Sequence, residues 1–237
     1  MLSDEKEVFS EFLEIELRGE RLFLLPDRAL WWPSRQRLIV ADVHLGKATH
    51  FNRHGSVLPI QSAIKDLRKL KLLSEGLEIR SLLVLGDLFH SEYNNEFDWL
   101  QALRDSVQGL QLEVVRGNHD IVHPKHFSEA GILLHADVLE DGPFLFVHDP
   151  TQVSADRSYP IGGHVHPGVA LYGRARQREK LSCFYIGVEY ALLPAFGSLT
   201  GLHAVRHSVA GDRIIAIVGD KLVEVPSPFK TEESSGQ

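Results

Sequence analysis

The sequence has 237 residues, of which 43% are hydrophobic and 24% charged, so it suits one large globular α/β domain. The single cysteine excludes an internal disulfide, and the net charge of −7 argues against sequence-independent coating of DNA. Apolar runs fall far short of the ~20 residues of a membrane-spanning helix, and the acidic N-terminus lacks the features of a signal peptide. We therefore predict a cytoplasmic protein with no membrane segment.

The elements predicted along the chain describe a mixed α/β protein. Residues 11–25 predict a hairpin around Arg18-Gly19-Glu20. Apolar residues at helical spacing predict one helix over residues 60–75 and a second over residues 96–107. Strand-like segments punctuated by glycine dominate after residue 131. The polar C-terminus predicts a single domain over residues 1–225 and a flexible tail over residues 226–237.

Five short apolar runs each end in a side chain that can bind a metal ion. Short apolar runs bounded by glycines predict buried strands, and ligands of α/β sheets bind beyond the carboxyl ends of strands. A random scatter of the 13 histidines would not follow these runs so regularly. We therefore expect one rim to carry the five side chains that follow the runs: Asp42, Asp87, Asn118, His148 and His164.

Two of these positions belong to short motifs with a second metal-binding side chain. Asp42-Val43-His44 can bring two side chains to one ion, although such a triplet alone is most often a surface loop. Gly163-His164-Val165-His166 offers two imidazoles that suit two neighbouring ions. The alternative for the second motif is an exposed turn with incidental histidines.

The motif Gly117-Asn118-His119-Asp120 follows a hydrophobic strand. Asn118 offers a carbonyl oxygen, His119 offers an imidazole, and Asp120 can orient that imidazole. The alternative is a turn capped by Asn118 and Asp120 with a solvated His119. The preceding strand makes the metal site the better interpretation.

Together the motifs give a candidate ligand set of two carboxylates, one amide and four imidazoles. Mixed oxygen and nitrogen ligation suits manganese, iron or zinc, whereas an all-oxygen site suits calcium or magnesium. Cys183 lies outside the pattern, so a closed cysteine-type zinc site is not expected. The set consists of Asp42, His44, Asp87, Asn118, His148, His164 and His166.

The order of these motifs resembles the calcineurin-like metallophosphoesterase superfamily, whose motifs D-x-H, G-D, G-N-H-D/E, H and G-H-x-H all occur between residues 42 and 166. The strings at residues 41–47, 86–91 and 163–168 are similar to those of one subgroup, the bacterial ligase-associated DNA damage response endonuclease PdeM family. The resemblance implies a four-layer α/β/β/α sandwich, with two mixed β-sheets packed face to face and helices outside.

The resemblance also implies a role for each motif residue. Asp42, His44 and His166 would hold one divalent ion, and Asn118, His148 and His164 would hold the other. Asp87 would bridge the two ions, which we expect to be Mn²⁺, with Fe or Zn as alternatives. Two ions ~3.5–4 Å apart would activate a bridging hydroxide for in-line attack on phosphorus. His119 would protonate the leaving oxygen, and Asp120 resembles its orienting partner.

Four residues near the motifs are candidate substrate contacts. Lys47 and Arg53 follow the first motif, and Arg116 precedes Gly117. Lys47 and Arg53 could overhang the same rim, and a strand-end salt bridge explains Arg116 equally well. His90 stands where many superfamily members carry an acidic residue three positions after the bridging aspartate. It would act either as a neighbour of the ligands or as a phosphate contact.

Two further sequence features bear on the substrate. The stretch Gly173–Lys180 holds four basic residues and one acidic residue, a net charge of +3, and could steer a nucleic acid or a nucleotide. A solvated loop explains the stretch equally well. Trp31 and Trp32 could stack on bases, but we expect them to pack at the edge of the core.

Three functions compete on this basis. The resemblance implies a DNA-repair nuclease or phosphodiesterase acting on single-stranded or damaged DNA, in association with a DNA ligase or helicase. The alternative is a small-molecule phosphodiesterase or pyrophosphatase acting on cyclic nucleotides, nucleotides or a lipid precursor. The third is a catalytically idle scaffold, against which the retained ligands and His119 argue. The sequence does not indicate an oligomeric state.

Overall fold

The computed structural model describes residues 12–45, 61–89, 96–154, 157–172 and 178–229. Within these ranges the chain forms two β-sheets, three α-helices and two 3₁₀ helices, Pro33–Arg35 and Pro150–Gln152. None of the described helices has both the length and the apolar character that crossing a membrane requires. Lys47, Arg53 and His90 lie outside the described residues, as does most of the basic stretch after Tyr172.

The first sheet has seven strands that follow one another in chain order. Strands β1 to β4 pair antiparallel, and β4 to β7 pair parallel. Arg18 and Gly19 both have positive φ in the two-residue turn between β1 and β2, which confirms the predicted hairpin. The strands are β1 (Leu13–Leu17), β2 (Glu20–Leu25), β3 (Ala29–Trp32), β4 (Arg37–Ala41), β5 (Ser81–Leu85), β6 (Gln111–Val115) and β7 (Ile132–His135).

The second sheet has nine strands and is also mixed. Its order is β14-β11-β12-β13-β10-β9-β8, with β15 paired to β12 and β16 paired to β15. Strand β10 is parallel to β9 and β13. The strands are β8 (Val138–Asp141), β9 (Phe144–Val147), β10 (Tyr159–Gly162), β11 (Pro167–Tyr172), β12 (Arg178–Ile186), β13 (Ala191–Leu192), β14 (His203–Ala204), β15 (Arg213–Val218) and β16 (Lys221–Val225).

Alternating side chains of the first sheet build two separate cores. Leu38 and Val40 of β4 face an apolar cluster shared with the helices, whereas Ile39 and Ala41 face a cluster shared with the second sheet. Strand β5 alternates in the same way. The two sheets therefore pack face to face, as the resemblance implies. Trp32 is fully buried between them, with its ring 5.0 Å from that of Phe144, so it lies inside the core rather than at the edge where it was expected.

The described helices lie against the outer face of the first sheet. They are α1 (Gln61–Gly76), α2 (Glu96–Ser106) and α3 (Pro124–Glu129), and all three contribute to the outer cluster of that sheet. In α1, Leu67, Leu70 and Leu73 are buried, whereas Ile64 is 51% exposed beside a groove that borders α2. Both predicted helices are confirmed. Strand β16 ends at Val225, where we predict the domain to end, and the division into domain and tail stays a prediction.

Candidate metal centre

The five predicted strand ends are confirmed, and they bring their side chains to one rim. Strands β4, β5 and β6 of the first sheet lead into Asp42, Asp87 and Asn118. Strands β9 and β10 of the second sheet lead into His148 and His164. The rim is therefore built from both sheets, and the contacts among these side chains cross between them.

A first group of side chains consists of Asp42, His44 and His166. Their ligand atoms lie within 4.8 Å of one another. The Nε2 atoms of the two histidines are 3.4 Å apart, and Nε2 of His166 is 3.6 Å from Oδ1 of Asp42. Asp42 is fully buried, His44 is buried, and the side chain of His166 is 14% exposed. The structure thus brings together the three residues expected to hold the first ion.

A second group surrounds Nε2 of His148. This atom lies 2.8 Å from Oδ1 of Asn118 and 3.0 Å from Nδ1 of His164. The other ring nitrogen of His148, Nδ1, lies 3.2 Å from the carbonyl oxygen of Leu85. Because a carbonyl only accepts, Nδ1 carries the proton and Nε2 keeps its lone pair for a metal ion. The three residues expected to hold the second ion therefore also converge.

The carboxyl group of Asp87 lies between the two groups. Its Oδ1 is 3.5 Å from Nε2 of His148, and its Oδ2 is 3.9 Å from Nε2 of His44. One oxygen thus faces each group, which is the placement expected of a bridging carboxylate. Asp42, Asp87 and His148 also have ligand atoms within 4.8 Å of one another, so Asp42 borders both groups.

These residues fit divalent ions on two independent grounds. Donor atoms bonded to one ion at 2.0–2.1 Å are separated by about 3.0–3.4 Å, close to the 3.0 and 3.4 Å that separate the paired imidazole nitrogens. In addition, Oδ1 of Asp42 is buried with no hydrogen-bond partner among the described residues. A buried carboxylate oxygen without a partner is costly, and a cation beside it would remove that cost.

The backbone of the site is strained where the ligands are presented. Nine described residues other than glycine have positive φ, and five of them are members of the candidate set. Each left-handed residue costs of order 1–3 kcal/mol and persists only where its surroundings hold it. Such strain is typical of functional sites. The five are Asp42, His44, Asp87, His164 and His166, with φ between 50° and 65°.

His119 lies beside the first group without joining the second. It is exposed, its ring centroid is 5.7 Å from that of His44, and its backbone N–H donates to Oδ1 of Asp87 at 2.9 Å. The side chain can therefore reach a bound substrate from the edge of the candidate centre. Its role as the acid stays a prediction.

Asp120 contacts the backbone of two site loops. Its buried carboxyl group accepts the N–H of Phe89 at 3.0 Å and the N–H of Gly117 at 2.9 Å. Burial is the main cause that raises the pKa of Asp120 to about 6, and the two N–H groups oppose the shift. Above that pH the carboxylate ties the loop after Asp87 to the loop that carries Asn118. These contacts add a role in loop positioning to the one predicted from the motif.

Arg116 is the described member of the candidate substrate contacts. Its Nη2 donates to the carbonyl oxygen of Val122 at 3.3 Å, so the guanidinium closes the loop that holds Asn118 and His119. Its Nε is buried with no partner among the described residues. The contact with phosphate stays a prediction.

Three supporting features of the site were missed in the sequence. The carbonyl of Leu85 orients His148, and Oδ2 of Asp149 lies 4.0 Å from Nε2 of His164. Gly163 packs so closely on Asp42 that a side chain there would overlap its carboxyl group. Asp149 follows a predicted ligand, which is a signal that could have drawn attention to it. The Leu85 carbonyl gives no such signal.

The fold of the chain is similar to that of a known nuclease. The crystal structure of Pseudomonas putida nuclease MPE superimposes on the chain with a TM-score of 0.76 and 29% sequence identity, covering 91% of this chain and 100% of that chain. Yfce, a phosphoesterase from E. coli, is 16% identical over 80% of this chain and 97% of its own, with a TM-score of 0.45, which is too low to support an argument. The sequence matches no family model and no curated protein.

Proposed function

The chain belongs to the metallophosphoesterase family, and from that premise we propose that it hydrolyses phosphodiester bonds in DNA with two divalent metal ions. The family makes it a metal-dependent phosphoric ester hydrolase. The nuclease from P. putida, similar over nearly the whole of both chains, supports a nucleic acid as the substrate class, and the motif strings similar to the PdeM family favour DNA. The placement of Asp87, with one oxygen towards each ligand group, is the observation that carries the proposal.

The ligand set supports manganese, iron or zinc, of which we propose Mn²⁺. Each group combines imidazole nitrogens with carboxylate or amide oxygens, and no thiolate belongs to either group. Mixed ligands of this kind suit manganese, iron or zinc better than calcium or magnesium. When bound, two such ions supply Lewis acidity to the phosphoryl oxygens and an activated water.

The chain's own residues complete the reaction we propose. The seven candidate ligands would hold the ions in place. The carbonyl of Leu85 orients the ring of His148, and the Asp120 carboxylate joins the two loops that it contacts. His119 donates a proton to the leaving oxygen from its exposed position beside His44. An alkoxide is a poor leaving group, so protonation of this oxygen assists departure by about 10²–10⁴-fold. Arg116, Lys47, Arg53 and His90 are the proposed phosphate contacts.

The cellular setting is part of the same proposal. The motif strings similar to the PdeM family support cleavage of single-stranded or damaged DNA during repair, in the cytoplasm and beside a DNA ligase or helicase. Soluble small esters, such as cyclic nucleotides, would use the same centre, so the substrate must be tested directly.

A substrate panel with Mn²⁺ tests the proposal. Single-stranded DNA, duplex DNA, cyclic nucleotides and bis-p-nitrophenyl phosphate are incubated side by side with the metal-loaded chain. The controls are the same chain with EDTA and the Asp87→Asn variant. We expect metal-dependent cleavage of DNA that both controls abolish. Hydrolysis of nucleotides without DNA cleavage would contradict the nuclease proposal while leaving the metal centre in place.

A further inference from the structure

We propose that Asp66 and Ser198 are positioning residues for the ion held by Asp42, His44 and His166. Neither residue belongs to the candidate ligand set. The inference rests on the metal centre of the proposed function, but it needs no assumption about the substrate. It follows from a chain of contacts that leads from helix α1 to the backbone of Asp42.

The first link joins helix α1 to Ser198. Oδ1 of Asp66 accepts a hydrogen bond from the Ser198 hydroxyl at 2.6 Å, and Oδ2 accepts the Ser198 N–H at 2.9 Å. Asp66 is only 5% exposed, so water competes little for these oxygens. The helix therefore holds both hydrogen-bond donors of Ser198, the hydroxyl and the N–H, with a single side chain.

A second side chain on the same face of α1, that of Lys69, contacts Phe196, which lies two positions before Ser198. Lys69 lies three positions after Asp66, which places both on one face of the helix. Its Nζ lies 5.5 Å from the ring centroid of Phe196, which is fully buried. In addition, Nη1 of Arg28 donates to the carbonyl oxygen of Ala195 at 3.4 Å. Residues 195–198, here called the clamp segment, are thus anchored at three points.

The clamp segment binds the backbone that carries the first ligands. The N–H of Phe196 donates to the carbonyl oxygen of Ala41 at 2.8 Å, and the N–H of Gly197 donates to that of Asp42 at 3.2 Å. Gly197 approaches Val43 so closely that a Cβ would overlap its carbonyl oxygen. Only glycine allows this approach without displacing the backbone.

The opposite side of this backbone is held by the loop after β5. The N–H of His44 donates to the carbonyl oxygen of Asp87 at 2.9 Å, and that of Leu45 donates to Leu88 at 2.8 Å. Asp42 and His44 therefore sit between two backbones, of which one is the clamp segment. Removing one support leaves the left-handed conformations of both residues held from one side only.

A loosened support lowers metal affinity because an ion tolerates little displacement of its ligands. Ligand distances in metal sites fall within about 0.2 Å of their ideal values. Partners that orient ligands typically change metal affinity by 10–100-fold when they are removed. Since Asp66 acts through the clamp segment and not on a ligand side chain, we expect an effect near the lower end of that range, about tenfold.

The test measures Mn²⁺ binding by isothermal titration calorimetry, with the full chain and no substrate. The His148→Ala background weakens the second group, so the first group dominates the titration. Into this background we introduce Asp66→Asn, which keeps the shape but replaces one acceptor oxygen with a donor. Ser198→Thr and Ser198→Val form a matched pair that differs in the hydroxyl group, and Ser198 is exposed enough to accept the added methyl groups.

Asp212→Asn is the stability control. Asp212 is also a buried aspartate that accepts a hydroxyl and backbone N–H groups, but its described partners are Tyr185, Val188, Ser208 and Val209, none of which is a candidate ligand. We expect Asp66→Asn to weaken Mn²⁺ binding about tenfold, Ser198→Val to weaken it less, and Ser198→Thr to bind like the parent. Asp212→Asn should lower the unfolding midpoint without changing affinity.

Two outcomes would overturn the inference. One is unchanged affinity in both Asp66→Asn and Ser198→Val; if Asp66→Asn does not fold, the Ser198 pair alone decides. The other is a loss of affinity in Asp212→Asn equal to that in Asp66→Asn, because affinity would then follow stability alone. A wild-type chain that binds no Mn²⁺ would instead overturn the metal centre itself, which separates failure of the proposed function from failure of this inference.

Discussion

The backbone N–H of His164 donates a hydrogen bond to Oδ2 of Asp42 at 2.9 Å, and this bond joins strand ends of two different sheets. Asp42 is fully buried, and its other oxygen faces His166 at 3.6 Å. The carboxyl group of Asp42 therefore takes part both in the contact between the two sheets and in the candidate metal centre. Because Gly163 packs closely on this carboxyl group, a substitution of Gly163 can displace the carboxyl group without changing a candidate ligand.

Gly163→Ala should weaken Mn²⁺ binding at least tenfold. A Cβ at this position would overlap Oδ2 of Asp42 and crowd the side chain of Ala41, so the carboxyl group must move. Gly201→Ala is the matched control, because nothing lies within 4 Å of the Cβ it would add. Calorimetric titration of both variants with Mn²⁺ makes the comparison. Equal affinity in the two variants would show that the position of Asp42 does not govern the ion.

His119→Ala should keep both ions and lose turnover by about 10²–10⁴-fold on DNA. The side chain is exposed beside the first group, and the structure gives the Asp87 contact to its backbone, which the substitution retains. Bis-p-nitrophenyl phosphate releases an anion that needs no proton, so the loss on this substrate should be much smaller.

The comparison of the two substrates separates an acid from a residue that merely shapes the site. Rate constants for both substrates are measured at saturating Mn²⁺, with metal content determined by elemental analysis. An equal loss on both substrates would argue that His119 does not protonate the leaving group. Full activity on DNA would remove it from the mechanism.

The convergence of the candidate ligands was predictable because its signals are local. Asp87 and His148 each follow a short apolar run directly, and a strand end can be recognised in a window of fewer than ten residues. The face-to-face packing of two mixed sheets was predicted instead from the order of the motifs, because the sequence of a single strand does not specify which strands it pairs with. Local patterns thus gave the candidate site, and the resemblance gave the architecture.

The supports of the site could not be predicted, because they join distant parts of the chain. Ser198 and Asp66 are 132 positions apart, and neither lies in a recognisable motif. The left-handed backbone of Asp42 and His44 could not be predicted either, because most aspartates and histidines have negative φ and the residue type alone does not identify the exceptions. Sequence patterns name the candidate ligands, whereas tertiary contacts hold them in place.

Arg37→Met should lower the free energy of unfolding by about 3–5 kcal/mol. Arg37 begins β4 and pairs with Glu113 of β6 at 2.7 Å and with Asp141 of the second sheet at 2.9 Å. The Glu113 side chain is only 5% exposed, and loss of the guanidinium leaves its carboxylate with the Ser81 hydroxyl at 2.8 Å and the His135 ring at 3.0 Å. These two partners offset part of the loss, so we expect the lower end of that range. Urea denaturation of the metal-free chain measures the change.

Arg21→Met is the control for this prediction. Arg21 pairs with Glu14 through two hydrogen bonds of 2.7 Å, but both side chains are more than half exposed. Solvent screens such a pair, so we expect little change in the unfolding midpoint. Similar destabilisation in the two variants would show that burial does not set the strength of the Arg37 pair.

Asp212→Asn should destabilise the chain at pH 7, with a deficit that shrinks in acid. Burial works to raise the pKa of Asp212, but the N–H groups of Ser208 and Val209 and the hydroxyl of Tyr185 outweigh it, so the pKa lies below its ordinary value. The ionised carboxylate therefore stabilises the fold fully above the unfolded pKa of about 3.9, and this contribution is lost as the pH falls towards the folded pKa. Urea midpoints of both chains at pH 7, 5 and about 3.5, in EDTA, follow the change. Tyr185→Phe removes one of the donors and should give an intermediate deficit, whereas a deficit independent of pH would assign the effect of Asp212 to packing alone.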